Sequence, residues 1–324
     1  MGLGRRGGKS AKHYGVMDAK TQVDAARRAV LAVQHADLAV LAVTGNDRVG
    51  WLNGLLTCDL VKRPEGQARY GLVVARSGKV LTDATVLVEE SRVLVAVPIA
   101  CVATLRAHLE HYLVMEDAEV GERTDAYRAW MLHGPRSGDV LAAARLAGAS
   151  GGGLDPTGLG GAMVLAPGQH DAEVRAAIER AVGALGGAIG DEAGWEALRL
   201  ERGVPRFGAD FDDGMYPQEA SLEKVAVSFD KGCYLGQEVV CMLELRGHVK
   251  RRLVALVIDA ESVPSRGAPV LDEAGGAAGE VTSALASPTL GKPVALAMIK
   301  RALTEPGSRL VVEGAHARVV ERPA

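Results

Sequence analysis

The sequence predicts an α+β body followed by a small carboxy-terminal β-barrel, and three observations carry that prediction. Through the first 246 residues, valine-rich runs with tight turns alternate with amphipathic helical spacings. After His248 the helical spacings stop, and short strand-like runs recur between Gly or Pro turns. With 324 residues and 48% hydrophobic content, the chain can bury the cores of two domains, or of three small ones. The expected division is a flexible basic tail over 1–20, an α+β region over 21–246 that divides further if its halves are subdomains, and a barrel over 247–324.

The elements follow in order. Ala, Val and Leu at 23–34 have the spacing of an amphipathic helix, and 38–43 reads as a short apolar strand. Gly45-Asn46-Asp47 is a turn, after which Trp51, Leu52 and Leu55 share one face of a helix over 47–56 that ends near Thr57-Cys58-Asp59. Three strands at 70–75, 79–88 and 93–97 form an antiparallel set joined at Ser77-Gly78 and Glu89-Glu90-Ser91. Helices are expected at 101–112, 140–146 and 172–185, and strands at 126–132 and 162–165. Gly151-Gly152-Gly153 reads as a loop, and it lacks the preceding strand of a dinucleotide fingerprint. The barrel strands are expected at 249–258, 268–271, 278–283, 294–299, 309–312 and 316–320.

The net charge of -3 excludes a surface dominated by one sign, so direct nucleic-acid binding is not expected. Arg5, Arg6, Lys9 and Lys12 lie among glycines with no apolar segment behind them, so no signal peptide is indicated, and no run is long enough for a membrane helix. Cys58, Cys101, Cys233 and Cys241 are too scattered for a disulfide framework or a zinc site, which fits a reducing, cytoplasmic location.

The densest chemistry is at Lys231-Gly232-Cys233-Tyr234-Leu235-Gly236-Gln237-Glu238. A cation, a thiol, a phenol, an amide and a carboxylate stand beside two glycines that free the backbone. One reading is a turn around a structural cysteine. The other is a thiol made more available by Lys231, since a nearby cation favours thiolate. A second constellation centres on Glu201, at the end of a helical pattern stopped by Gly203 and Pro205. Its carboxylate either pairs with Arg199 or Arg202, or accepts two parallel hydrogen bonds from a heterocycle. The third is Asp83, an acid inside a valine-rich strand, explained by solvent exposure or by chemistry.

Together these places resemble the YgfZ-type folate-binding proteins, relatives of the glycine cleavage T protein (aminomethyltransferase), with residues 231–238 matching the signature K-G-C-[FY]-x-G-Q-E. The resemblance runs over nearly the whole chain beyond the tail, through 41–47, 57–59, 198–203, 281–283 and 295–297. It implies an aminomethyltransferase-like folate-binding body backed by the barrel, with tetrahydrofolate or a one-carbon derivative as cofactor. It further implies that Glu201 grips the pterin edge, that Asp83 lies near the one-carbon nitrogens, and that Lys231 and Tyr234 belong to the ligand site beside the reactive Cys233. The cysteine points to the branch linked to iron–sulfur protein maintenance and tRNA thiomethylation, with iron–sulfur clients as partners. The rival is a folate-dependent aminomethyltransferase using Asp83 in proton movement, and a ligand-free scaffold is the third reading. Val239-Val240-Cys241-Met242 departs from the signature's usual continuation, in which an arginine follows; if that arginine holds the folate's glutamate tail or a partner, the role is lost here or passes to Arg246, Lys250 or Arg251.

Overall fold

A computed structural model describes residues 17–62 and 66–324. The tail residues Arg5, Arg6, Lys9 and Lys12 lie outside them. The chain begins with α1 (Ala19–Arg28), β1 (Leu31–His35), β2 (Leu38–Thr44), α2 (Arg48–Asn53), β3 (Ala68–Val74), β4 (Val80–Val88) and β5 (Val93–Pro98). Next come α3 (Val102–His111), β6 (Glu119–Glu122), β7 (Tyr127–His133), α4 (Ser137–Leu146), β8 (Ser150–Gly153) and β9 (Gly161–Pro167). Then follow α5 (Asp171–Ala184), β10 (Ala188–Gly190), α6 (Glu192–Glu201), α7 (Glu223–Ala226) and α8 (Gln237–Leu245). The barrel strands are β11 (Arg251–Ile258), β12 (Pro269–Asp272), β13 (Ala277–Ala286), β14 (Pro293–Lys300), β15 (Arg309–Val312) and β16 (Ala315–Val320).

Two five-stranded sheets make the body, in the orders β3-β4-β5-β2-β6 and β10-β1-β7-β9-β8. Alternate residues of a strand point to opposite faces, and both sheets use that period on two sides. In the first sheet Leu41, Val43, Val86 and Val95 pack beneath α2 and α3, while Val40, Ala42, Leu87 and Leu94 meet Ala129, Met163 and Leu165 of the second sheet. On the second sheet's other side, Val30, Ala32, Trp130 and Val164 lie under α4 and α5. Sheets in the middle and helices outside give the mixed α/β body, and β11-β14-β13-β12-β15-β16 close into a six-stranded barrel. Leu200 of α6 packs on the barrel's Leu253, Ala255 and Leu296, which joins body to barrel.

Several elements differ from expectation for identifiable reasons. The helix expected over 23–34 is α1, ending at Arg28, followed by the strand β1. Residues 30–33 are fully buried because β1 is a central strand with apolar packing on both faces, and such a run carries no strand period. Since α1 starts at Ala19 behind an Asp18 cap, the last positions of the expected tail belong to a helix. The triple-glycine stretch is an edge strand, β8. A Cβ at Gly152 would come within 2.4 Å of the Ala68 nitrogen, so only glycine allows this close backbone approach.

Candidate functional site

Asp83 stands in β4 with Leu72 of β3 opposite it, and Tyr70 is its diagonal neighbour on the same face. The Tyr70 hydroxyl donates to Asp83 Oδ2 at 2.9 Å, while Oδ1 is sealed from solvent without a partner. Burial pushes the Asp83 carboxyl up to about 6; the Tyr70 hydrogen bond opposes this, and the nearby charge of Asp37 adds to it. Burial also raises the Tyr70 phenol, and the Asp83 charge reinforces that shift. An acid in a strand is therefore not explained by exposure here: Asp83 is only partly accessible, and its Oδ1 is dry.

Asp37, in the turn after β1, has the opposite environment. His35 Nδ1 lies 3.3 Å from its Oδ1, and Arg206 donates to its Oδ2 at 2.9 Å. The hydrogen bond with His35, followed by the charges of His35 and Arg206, holds Asp37 down to about 2 in spite of burial. The two carboxyls are thus shifted in opposite directions, Asp37 down and Asp83 up. Arg206 also binds Glu192 and Glu196 of α6, so Asp37 is braced by a charged cluster. Sequence reasoning missed Asp37, Arg206, His35 and Tyr70. Tyr70 had a signal, since the Ser77-Gly78 turn pairs β3 with β4, but Asp37 and Arg206 are far apart in the chain and no pattern links them.

Glu201 is fully buried at the end of α6. Oε1 accepts from the Ser287 hydroxyl and the Thr289 N–H, and Oε2 accepts from Arg27 at 3.0 Å and the Thr289 hydroxyl at 2.8 Å. Four protein donors occupy its two oxygens, so the heterocycle edge expected there finds no free lone pair in this conformation. The ion pair is with Arg27, not with either expected arginine. Arg199 is 2% exposed and bound to Glu196 and Asp210, and Arg202 caps the Thr157 and Ala324 carbonyls. Glu201 fastens α1 and the barrel's 287–289 turn to α6.

The 231–238 run also departs from expectation. Lys231 is 7% exposed, and its Nζ donates to the Asn53, Leu56 and Cys58 carbonyls, each at 2.7 Å. An ammonium has three N–H donors, and all three are taken. Burial pulls Lys231 down to about 8, partly opposed by the charges of Cys58 and Asp59. It caps the end of α2 instead of activating Cys233 or facing a ligand. Tyr234 is buried under that ammonium, 5.2 Å from ring centre to Nζ, with its hydroxyl unpartnered among apolar neighbours. Gly236 turns the chain with φ +77° into α8, and a Cβ there would lie 2.4 Å from the Ala75 oxygen. These residues support the loop, and Cys233 is left exposed and free on it. Among the described residues, no hydrogen bond or ion pair connects Glu201, Lys231 or Cys233 to Asp83.

Residues 10–149 match the GCVT N-terminal domain, and residues 251–324 match the glycine cleavage T-protein C-terminal barrel domain. The aminomethyltransferase of Streptomyces coelicolor is 32% identical over 303 residues, covering 85% of this chain and 80% of that protein. The chain belongs to the glycine cleavage T-protein family. Within this family, the aminomethyltransferase of Thermotoga neapolitana is 27% identical over 329 residues, covering 93% of this chain and 88% of that one. The glycine cleavage system aminomethyltransferase T from Bartonella henselae has the same fold, with a TM-score of 0.80 at 22% identity over 94% of this chain and 89% of its own. The matched barrel domain begins at the first residue of β11. Among the described residues no helix is long and apolar enough to cross a membrane.

Proposed function

We propose that this T-protein relative binds a reduced folate beside Asp83 and transfers an aminomethyl or related one-carbon unit. The observation that carries the reading is the Asp83 carboxyl: one oxygen held by Tyr70, the other buried and unpartnered, with its proton affinity raised to about 6. The relatives named aminomethyltransferase support the same class of chemistry. A buried acceptor without a donor fits a ligand that presents an N–H, as a reduced pterin does. When bound, the folate supplies the nitrogen that carries the one-carbon unit. Asp83 holds or releases a proton at Oδ1, Tyr70 fixes the carboxyl's orientation through Oδ2, and burial keeps Asp83's proton affinity high, with a smaller contribution from the charge of Asp37. Calorimetric titration with tetrahydrofolate, on wild type and Asp83→Asn, tests the site. Saturable binding, together with transfer from an aminomethylated carrier that is lost in Asp83→Asn, supports the reading, and equal transfer by the variant refutes it.

A second reading rests on a different observation. Lys231, Tyr234 and Gly236 hold a loop that leaves Cys233 in solvent, as a protein-facing thiol requires. In this reading the chain is a folate-binding accessory protein of the YgfZ type, cytoplasmic, supporting iron–sulfur proteins and tRNA modification through Cys233. Loss of cellular function in Cys233→Ala with folate binding intact favours it over transfer. Full function in that variant removes it.

A further inference from the structure

A cleft of about 540 Å³ lies away from Asp83, between the 218–224 segment, the last turn of α8 and the outside of the barrel. Two residues of its lining carry buried acceptors without donors. Gln218 is 4% exposed and spends its amide nitrogen on the Val240 carbonyl at 2.9 Å, while its Oε1 has no partner. Glu223 is 2% exposed and binds Arg252 through Oε1, while its Oε2 has none. Leaving such oxygens unpaired costs about 1–3 kcal/mol each, more for the charged one, so two in one cleft call for a donor.

The remaining lining selects the kind of donor. Arg252 is committed to Glu223 and to the Ser221 hydroxyl, so it is not free to receive an anion. Glu244, Glu305, Glu321, Lys224 and Arg301 also line the cleft, and the side chains of all five lack hydrogen-bonded or ion-paired partners among the described residues. Counting Glu223 and Arg252, four carboxylates line the cleft against three fixed cations. Leu253, Ala255, Leu296 and Val319 supply an apolar wall. We infer that this cleft is a binding site for a small organic ammonium ligand, whose N–H groups are accepted by Gln218 Oε1 and Glu223 Oε2 and whose hydrocarbon part lies on the barrel wall.

The test is calorimetric titration of the full chain with 3-methylbutylamine at neutral pH, with 3-methylbutanol as the uncharged control. The amine is expected to bind saturably with one-to-one stoichiometry and the alcohol not to bind. Glu223→Gln is expected to weaken the amine about tenfold, the size of a lost charged hydrogen bond. Thr304→Trp, which adds bulk to the lining at a residue other than either acceptor, is expected to abolish binding while leaving the urea midpoint unchanged, and so keeps the test valid should the Glu223 variant fail to fold. No heat with the amine, equal affinity for the alcohol, or undiminished binding in Thr304→Trp overturns the inference.

Discussion

Asp83→Asn is the perturbation that most directly tests the candidate site. A carboxyl moved from 3.8 in the unfolded chain to about 6 in the folded one is shifted by about 2 pH units, equivalent to about 3 kcal/mol. The sign follows from which state holds the proton. Between pH 4 and 6 the folded protein keeps it on Asp83 while the unfolded chain has released it, so stability falls as pH rises through that window. Below about pH 4 both states are protonated and the penalty vanishes; above about 6 it is complete. Asparagine is the same shape, still accepts from Tyr70 and carries no charge. The variant is therefore expected to be more stable than wild type at pH 8 by up to about 3 kcal/mol, and equal to it near pH 4. Urea denaturation of both proteins at several pH values measures the difference, and other titrating groups cancel in the subtraction. A variant less stable than wild type at pH 8, or a difference flat across pH, refutes the picture of a carboxyl held in an unfavourable dry site.

Four further outcomes follow from the same kind of accounting. Glu201→Ala removes a buried acceptor shared by Arg27, Ser287 and Thr289, so a loss of about 3–5 kcal/mol is expected in urea unfolding; a change under about 1 kcal/mol accompanied by lost folate binding would return Glu201 to the ligand. Lys231→Met strips the donor from three carbonyls and is expected to cost about 2–4 kcal/mol. Cys233→Ser, at an exposed position, should stay within about 0.5 kcal/mol of wild type in the same measurement. His133 is fully buried with both ring nitrogens unpartnered and stacked on Trp195, and burial, helped by the charge of His35, lowers it to about 3. The unfolded chain takes up a proton on this residue below about pH 6.5 and the folded one does not, so stability drains as pH falls from 6.5 toward 3. His133→Phe should flatten that acid limb in thermal melts, and an unchanged limb would place the acid sensitivity elsewhere.

The architecture was legible where one physical pattern decided it. The β3–β4–β5 meander was readable from valine runs and turn residues, and the barrel from evenly spaced short strands. Patterning failed where a strand is covered on both faces, as in β1, and where glycine serves close approach, as in β8. The chemistry was legible by residue type but not by partner. Asp83 stood out as an acid among valines, and the fold sets it against Tyr70 with one oxygen buried and unpartnered. Lys231 and Glu201 stood out equally, yet each is consumed by groups distant in the chain, the carbonyls after α2 in one case and the 287–289 turn in the other. Sequence names the donor and acceptor; only the fold says whether something else already holds them.

The prominent 231–238 run and the Asp83 site are nevertheless one mechanical unit. Tyr234 packs in an apolar cluster with Leu72, Val74 and Phe211, and Tyr70, the residue that orients Asp83, packs against the same cluster. Lys231 pins the loop that delivers Tyr234, so the order of that loop bears on how tightly Tyr70 is held. Burial is the largest cause of the raised Asp83 proton affinity, and a loosened cluster would admit water and let the carboxyl fall back toward its ordinary value. Lys231, held by three carbonyls, is thereby coupled through packing to the residue that orients Asp83.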